Sequence, residues 1–169
     1  MNIDLDNTQR RFAVMGKNTF TIANRIVQNQ KICRLLKYHS VDPLDTNKYS
    51  DVDGLELLHK QILIVPKIYD DSTEKMSYIT AIFDSFSVNA FNPEFKLSTI
   101  RFDIACPYNE WILHEESLRP YLIMEEMDKM FNQQPLAGIG NLEFVRVDAL
   151  TLSPWIGGYS MRYRINEFN

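Results

Sequence analysis

The chain has 169 residues, of which 45% are hydrophobic and 24% are charged, and its formal net charge is −4. These values are typical of one globular domain, so we expect residues 1–169 to form a single domain that needs no disulfide or metal. The acidic balance argues against a protein that grips nucleic acid by its phosphates, because such proteins usually carry a basic bias. No run approaches the ~20 apolar residues that span a bilayer, and no membrane partner is expected.

The first residues, Met1–Asp6, contain neither a basic segment nor an apolar one, so we predict no secretory signal peptide. We therefore expect a protein that is made in a cytoplasm and stays there or is built into a particle there. The two cysteines, Cys33 and Cys106, lie far apart among apolar neighbours. We expect both to be buried thiols, because a free cysteine behaves as a small hydrophobe.

The N-terminal part of the chain has helical spacing of its apolar residues, over residues 8–38. We expect Gly16 to divide this segment into a short leading helix and a longer second helix. Residues 39–60 are rich in turn formers such as Asp53-Gly54, which predicts a long loop. One helical turn is expected inside this loop, beside Leu55.

Three strands are predicted next. The apolar run Ile62–Ile68 predicts a strand that lies at a sheet edge or ends at Pro66, because proline cannot donate a hydrogen bond within a sheet. Tyr78–Val88 and Lys96–Cys106 follow, and the second of these alternates most clearly between apolar and polar residues. Such alternation is typical of half-buried antiparallel strands.

The C-terminal half predicts a helix and a hairpin. Ser117–Asn132 is amphipathic, and Pro120 fixes the helix start just before itself, because proline is tolerated only in the first turn. Two strands follow, Leu142–Leu152 and Tyr159–Ile165. The predicted fold class is therefore α+β: an antiparallel sheet of about five strands packed against two or three helices, in the order α(α)–βββ–α–ββ.

Residue types that carry catalysis do not cluster in this sequence. The glycines of Gly138-Ile139-Gly140 follow a predicted helix and precede a strand, the reverse of a phosphate-binding loop. Metal-ligand spacings such as CxxC or HExxH are missing. We expect no enzyme, no catalytic residue, no metal and no cofactor, and surface positions for the three isolated histidines: His39, His59 and His114.

The candidate functional surfaces are aromatic and basic. Trp111 in the loop after the third strand, and the tip of the C-terminal hairpin, either fold back onto the domain or insert into a neighbouring subunit, since exposed aromatic anchors mark interfaces. Arg162 and Arg164 share one strand face, with Arg146 and Asp148 opposite them. That face predicts either exposed cross-strand charge pairs or a surface between subunits. The hairpin tip consists of four residues: Trp155, Ile156, Gly157 and Gly158.

The C-terminal pattern resembles that of a known family. A helix at Leu118–Asn132, the segment Pro135–Asn141, the strand Leu142–Leu152 and a closing strand at Gly158–Arg164 follow one another. Placed after a leading helix and three strands, this order resembles the tail terminator and tail-to-head joining proteins of tailed bacteriophages.

The resemblance implies a structural virion protein, assembled in the host cytoplasm. It implies a ring of six or twelve subunits at the head–tail connector, the neck or the tail terminus, with other neck, portal and tail proteins as partners. DNA would pass through the lumen without being read. A second function remains open from the residues alone, a small soluble module that binds a ligand or partner in a pocket between the sheet and the helix Leu118–Asn132.

Overall fold

The structure is a computed structural model and describes residues 11–70, 72, 74–88, 96–136 and 139–167. The expectations that concern residues 1–10 and Gly138 therefore lie outside the described residues. The helices are α1 (Arg11–Val27), α2 (Gln30–Lys37) and α3 (Arg119–Phe131), with 3-10 turns at Gly54–Leu57 and Tyr108–Glu110. The strands are β1 (Ile62–Leu63), β2 (Tyr78–Val88), β3 (Lys96–Pro107), β4 (Pro135–Leu136), β5 (Gly140–Thr151) and β6 (Ile156–Glu167).

The described strands form one sheet in the order β1-β2-β3-β6-β5-β4. The prediction of an α+β fold is confirmed, but the sheet has six strands instead of five and is mixed, because β1 pairs parallel to β2. The remaining pairs are antiparallel. The additional strand is β4, whose two residues are too few to show the alternation by which a strand is predicted. The first strand, predicted over Ile62–Ile68, is shorter than expected and covers only Ile62–Leu63. As expected, the first strand lies at an edge and ends before Pro66.

The N-terminal helical segment is divided at a different residue from the one predicted. Gly16 lies inside α1, and the division falls at Asn29, whose side-chain oxygen accepts a hydrogen bond from the amide of Ile32 at 3.1 Å. Asparagine is among the best residues for capping a helix start. A single glycine costs a helix only about 1 kcal/mol, which packing of the rest of α1 offsets.

The three helices cover one face of the sheet and form the main core with it. Phe131 of α3 stacks on Phe102 of β3 with 5.0 Å between ring centroids. Met127 and Ile123, one and two turns earlier, are fully buried in the same layer. These side chains lie between the sheet and α3, where the binding-module alternative placed its pocket. The predicted alternation of β3 is confirmed by four buried residues: Ile100, Phe102, Ile104 and Cys106.

The long loop predicted at residues 39–60 is present and is held by side chains. Gln30 makes two hydrogen bonds to the main chain of Val52, at 2.8 and 2.9 Å. At the other end, the Arg119 guanidinium donates to the carbonyl of Ser40. The 3-10 turn Gly54–Leu57 confirms the helical turn expected there. This loop is thus an ordered part of the domain that packs against α2 and α3.

Candidate assembly surface

The hairpin tip predicted at Trp155–Gly158 lies partly inside the domain. β6 already begins at Ile156, whose buried side chain packs in a small second core with Leu63 and Tyr78. Gly157 and Gly158 are buried as well. Of the two interpretations of the tip, the structure favours folding back for these three residues, because chain segments distant in sequence cover them.

Trp155 itself is half-buried at the turn before β6. The Lys75 ammonium lies 5.5 Å from the centroid of its ring, a cation–π geometry. The insertion of Trp155 into a neighbouring subunit stays a prediction.

Trp111 belongs to a row of aromatic rings at the surface, which we call the aromatic row: Tyr108, Trp111, Tyr159 and Tyr121. Neighbouring ring centroids along it are 5.3, 6.0 and 5.2 Å apart. The hydroxyl groups of Tyr121 and Tyr159 lie 2.8 Å apart, and this hydrogen bond raises the pKa of Tyr159. The indole of Trp111 donates to the carbonyl of Cys106 at 3.0 Å, which fixes its ring. Ordered Tyr and Trp side chains that are partly exposed are the residue types that dominate protein interfaces.

Arg162 lies at the centre of an ion-pair network on the sheet face opposite the helices. Its guanidinium contacts Asp84 of β2 at 3.2 Å and also binds Asp148 of β5. Arg146 contacts Asp148 as well, at 3.1 Å, and Arg101 lies 2.8 Å from Asp84. The cross-strand charge pairs predicted for this face are therefore present.

Arg164, further along β6, pairs with Glu143 of β5, as the same prediction requires. The network borders an open concavity of about 390 Å³, which Lys67 and Tyr69 also line. Because its arginines are matched by aspartates at contact distance, this face presents little net positive charge to a phosphate backbone.

In the described ranges, no three His, Cys, Asp or Glu side chains are placed to hold a metal ion. The histidines His39, His59 and His114 are exposed, as predicted. His39 contacts Glu110 with 2.8 Å between Nδ1 and Oε1. No helix in the described part of the chain is both long and apolar enough to cross a membrane.

Part of the outer side of β5 is an open edge of the sheet. β4 pairs only with Gly140 and Asn141 of β5, and residues 132–133 bond to Leu142 and Phe144. Beyond a bulge between Phe144 and Arg146, no described strand lies along the outer side of β5 up to Thr151. Three apolar side chains at and beside the bulge are exposed: Phe144 by 46%, Val145 by 50% and Val147 by 37%.

The sequence patterns did not single out Arg119. It is only 1% exposed, and it donates to the carbonyls of four residues: Leu35, Tyr38, Ser40 and Glu110. A signal was available, because Arg119 lies four residues before Ile123 and eight before Met127, on the buried face of α3. An arginine in line with a helix's core residues has to find acceptors inside the protein.

These features describe an α+β chain with an open sheet edge, a surface aromatic row and self-compensated charges. The chain belongs to the YomW family, whose model matches residues 29–165. This family comes from the SPbeta phage region of Bacillus, so the chain is a phage-associated protein. The match begins at Asn29, the residue that caps α2, and extends into β6. No curated protein matches the chain.

Proposed function

We propose that this chain is a structural protein of the phage particle, which assembles with copies of itself into a ring at the head–tail connector or the tail terminus. The observation that carries the proposal is the open edge of β5. Proteins that stay monomeric usually blunt such an edge with proline, with charged side chains such as lysine, with a bulge or with a very short strand. The stretch Arg146–Thr151 contains no proline and no lysine, and it stands beside exposed Phe144 and Val145. An edge of this kind favours hydrogen-bonded pairing with a strand of a neighbouring chain.

The phage family and the order of elements support the position within the particle. Tail terminator and tail-to-head joining proteins, which the C-terminal half resembles, have no catalytic site and act by assembly. We accordingly propose no enzymatic activity and no cofactor, and we propose neck, portal and tail proteins as neighbours. The particle would be assembled in the host cytoplasm.

The charge distribution supports passage of DNA through such a ring without retention. The chain has a formal net charge of −4, and Arg101, Arg146 and Arg162 are each paired with an aspartate. A protein that holds DNA would instead present unpaired Lys and Arg side chains, which bind the phosphates and release the counterions condensed on the DNA. A lumen lined by residues of this kind would let the duplex slide.

The experiment is quantitative mass spectrometry of gradient-purified particles of the phage that carries this gene. We expect the chain at a constant ratio to the portal protein, and we expect deletion of the gene to yield heads and tails that do not join. Expression of the intact gene from a plasmid is the control, and it should restore complete particles. If the protein is missing from complete particles, the proposed function is wrong.

A further inference from the structure

The open edge of β5 is complementary to itself about Val147. The residues on either side are Arg146 and Asp148, and the next pair outward is Val145 and Ala149. In an antiparallel pair, residues that sit directly opposite each other point to the same side of the sheet and interact. If two copies align with Val147 opposite Val147, each Arg146 faces the other copy's Asp148.

We propose that two copies of this chain pair through β5, antiparallel and about a two-fold axis at Val147. This inference rests on the proposed self-assembly and specifies its first contact. Val147 lies opposite Met161 in β6, on the helix side of the sheet, whereas Arg146 lies opposite Arg162, on the other side. The pairing would therefore build an apolar contact on one side and two intermolecular ion pairs on the other.

The charges of Arg146 and Asp148 favour the register centred on Val147 over the two registers shifted by one residue. A two-fold axis at Arg146 would place two arginines opposite each other, and an axis at Asp148 would place two aspartates opposite each other. Like charges directly opposite each other destabilise a strand pair. The Arg146 and Asp148 side chains are 60% and 46% exposed, so a second chain can reach both.

Space along the edge limits the length of a pairing centred on Val147. Residues 132–133 occupy the outer side of β5 at Leu142 and Phe144. With the axis at Val147, residues 145–149 of the two copies lie opposite each other, and the pairing ends where Leu150 of one copy reaches Phe144 of the other, beside residues 132–133. Ala149 pairs with Tyr159 in β6, which places the aromatic row next to the seam.

The symmetry of this contact has a consequence for the ring. A two-fold interface is isologous, which means that it joins copies only in pairs. A closed ring built from such pairs contains an even number of subunits, as the expected six or twelve does. A second surface would then join one pair to the next.

The first test is cross-linking of the variant Val147→Cys, which adds one exposed thiol, with a short bismaleimide. Two Val147 positions would be ~5 Å apart across the axis, and the native thiols Cys33 and Cys106 are buried. We expect a covalent dimer as the main product. The matched control is Thr151→Cys, an exposed residue of the same strand. Its two copies would be about 27 Å apart in this register, so it should give almost no dimer.

The second test places like charges on the axis. Val147→Lys sets two ammonium groups opposite each other, and we expect the dimer dissociation constant, measured by light scattering, to rise at least ~10-fold. The matched control is Val65→Lys, at an exposed valine after β1, on the far edge of the sheet from β5. It should leave the mass unchanged, and circular dichroism should show both variants folded.

The outcomes separate this inference from the proposed function. Equal cross-linking at Val147 and Thr151, or an undisturbed dimer in Val147→Lys, would overturn the pairing at Val147. If the protein is found in particles but Val147→Cys does not cross-link, the pairing is wrong and the proposed function stands. If the chain neither self-associates nor occurs in particles, both are wrong.

Discussion

The guanidinium of Arg119 donates a 2.7 Å hydrogen bond to the main-chain carbonyl of Ser40. The same side chain donates to the carbonyls of Tyr38 and Glu110 at 3.0 Å, and also to that of Leu35. Leu35 lies in the last turn of α2, where the helix dipole is negative and stabilises a cation. Arg119 thus joins the start of α3, the end of α2 and the long loop.

Replacing Arg119 by methionine should destabilise the fold by about 3 kcal/mol. The change keeps much of the side-chain volume but removes the donors of four carbonyls, which then have no partner in the interior. The measurement is the free energy of unfolding in urea. Arg164→Met, at an exposed arginine, is the control and should change stability by less than about 0.5 kcal/mol. Equal effects of the two substitutions would show that Arg119 does not hold the loop.

Two glycines should respond in opposite directions to alanine. A Cβ on Gly158 would lie 1.8 Å from the carbonyl oxygen of Ile104 in the neighbouring strand, whereas a Cβ on Gly16 meets nothing within 4 Å. We expect Gly158→Ala to lower stability by about 2 kcal/mol or more. Gly16→Ala should raise it by ~0.5–1 kcal/mol, because alanine restricts the unfolded chain and favours a helix. Thermal unfolding measures both, and a shift of the same sign would contradict the structure.

The contact between α2 and α3 should depend on pH through Glu126. Burial alone would raise the pKa of this carboxyl group, but hydrogen bonds from Asn29, Lys31 and Lys129 bring it below its ordinary value. Since the folded pKa lies below the unfolded pKa, the stabilisation is present above the unfolded pKa and is lost as the pH falls through the folded pKa.

Glu126→Gln should therefore cost about 1 kcal/mol at pH 7, and the difference from the native chain should vanish in acid. Urea unfolding at the two pH values is the measurement. Glu56→Gln is the control, because Glu56 is exposed and lies 3.7 Å from its partner Lys37. A Glu126 effect that persists unchanged at low pH would rule out this ionic contribution.

The two thiols should be unreactive in the folded protein. Burial raises the pKa of Cys33 to about 11 and that of Cys106 to about 12, so almost no thiolate exists at pH 8, and thiolate is the reactive form. We expect Ellman's reagent to leave the native chain unmodified over minutes and to titrate both thiols after unfolding. Rapid reaction of a thiol in the native protein would place it at the surface.

Patterns of nearby residues predicted the elements that are determined locally. The alternation in β3 and the position of Pro120 depend on a few consecutive residues, and the structure confirms both. Burial of the two cysteines follows from their apolar neighbours and is confirmed too. The two-residue strand β4 has no period and was not predicted. The length of β1 could not be predicted either, because it is set by pairing with β2 at only two residues.

The candidate assembly surface, too, could be predicted only where it depends on nearby residues. The charge pairs of Arg162 follow from strand alternation, and the structure contains them. The burial of Ile156 could not be foreseen, because its partners Leu63 and Tyr78 come from the other half of the chain. The free edge of β5 likewise depends on the order of strands in the sheet, which no single segment specifies.

Native mass spectrometry of the purified protein over a range of concentrations tests most directly whether this chain works by self-assembly. We expect pairs at low concentration and one closed multimer with an even number of subunits, six or twelve, at high concentration. The mass of a single chain at every concentration would contradict assembly. A closed ring with an odd number of subunits would contradict the pairing through β5.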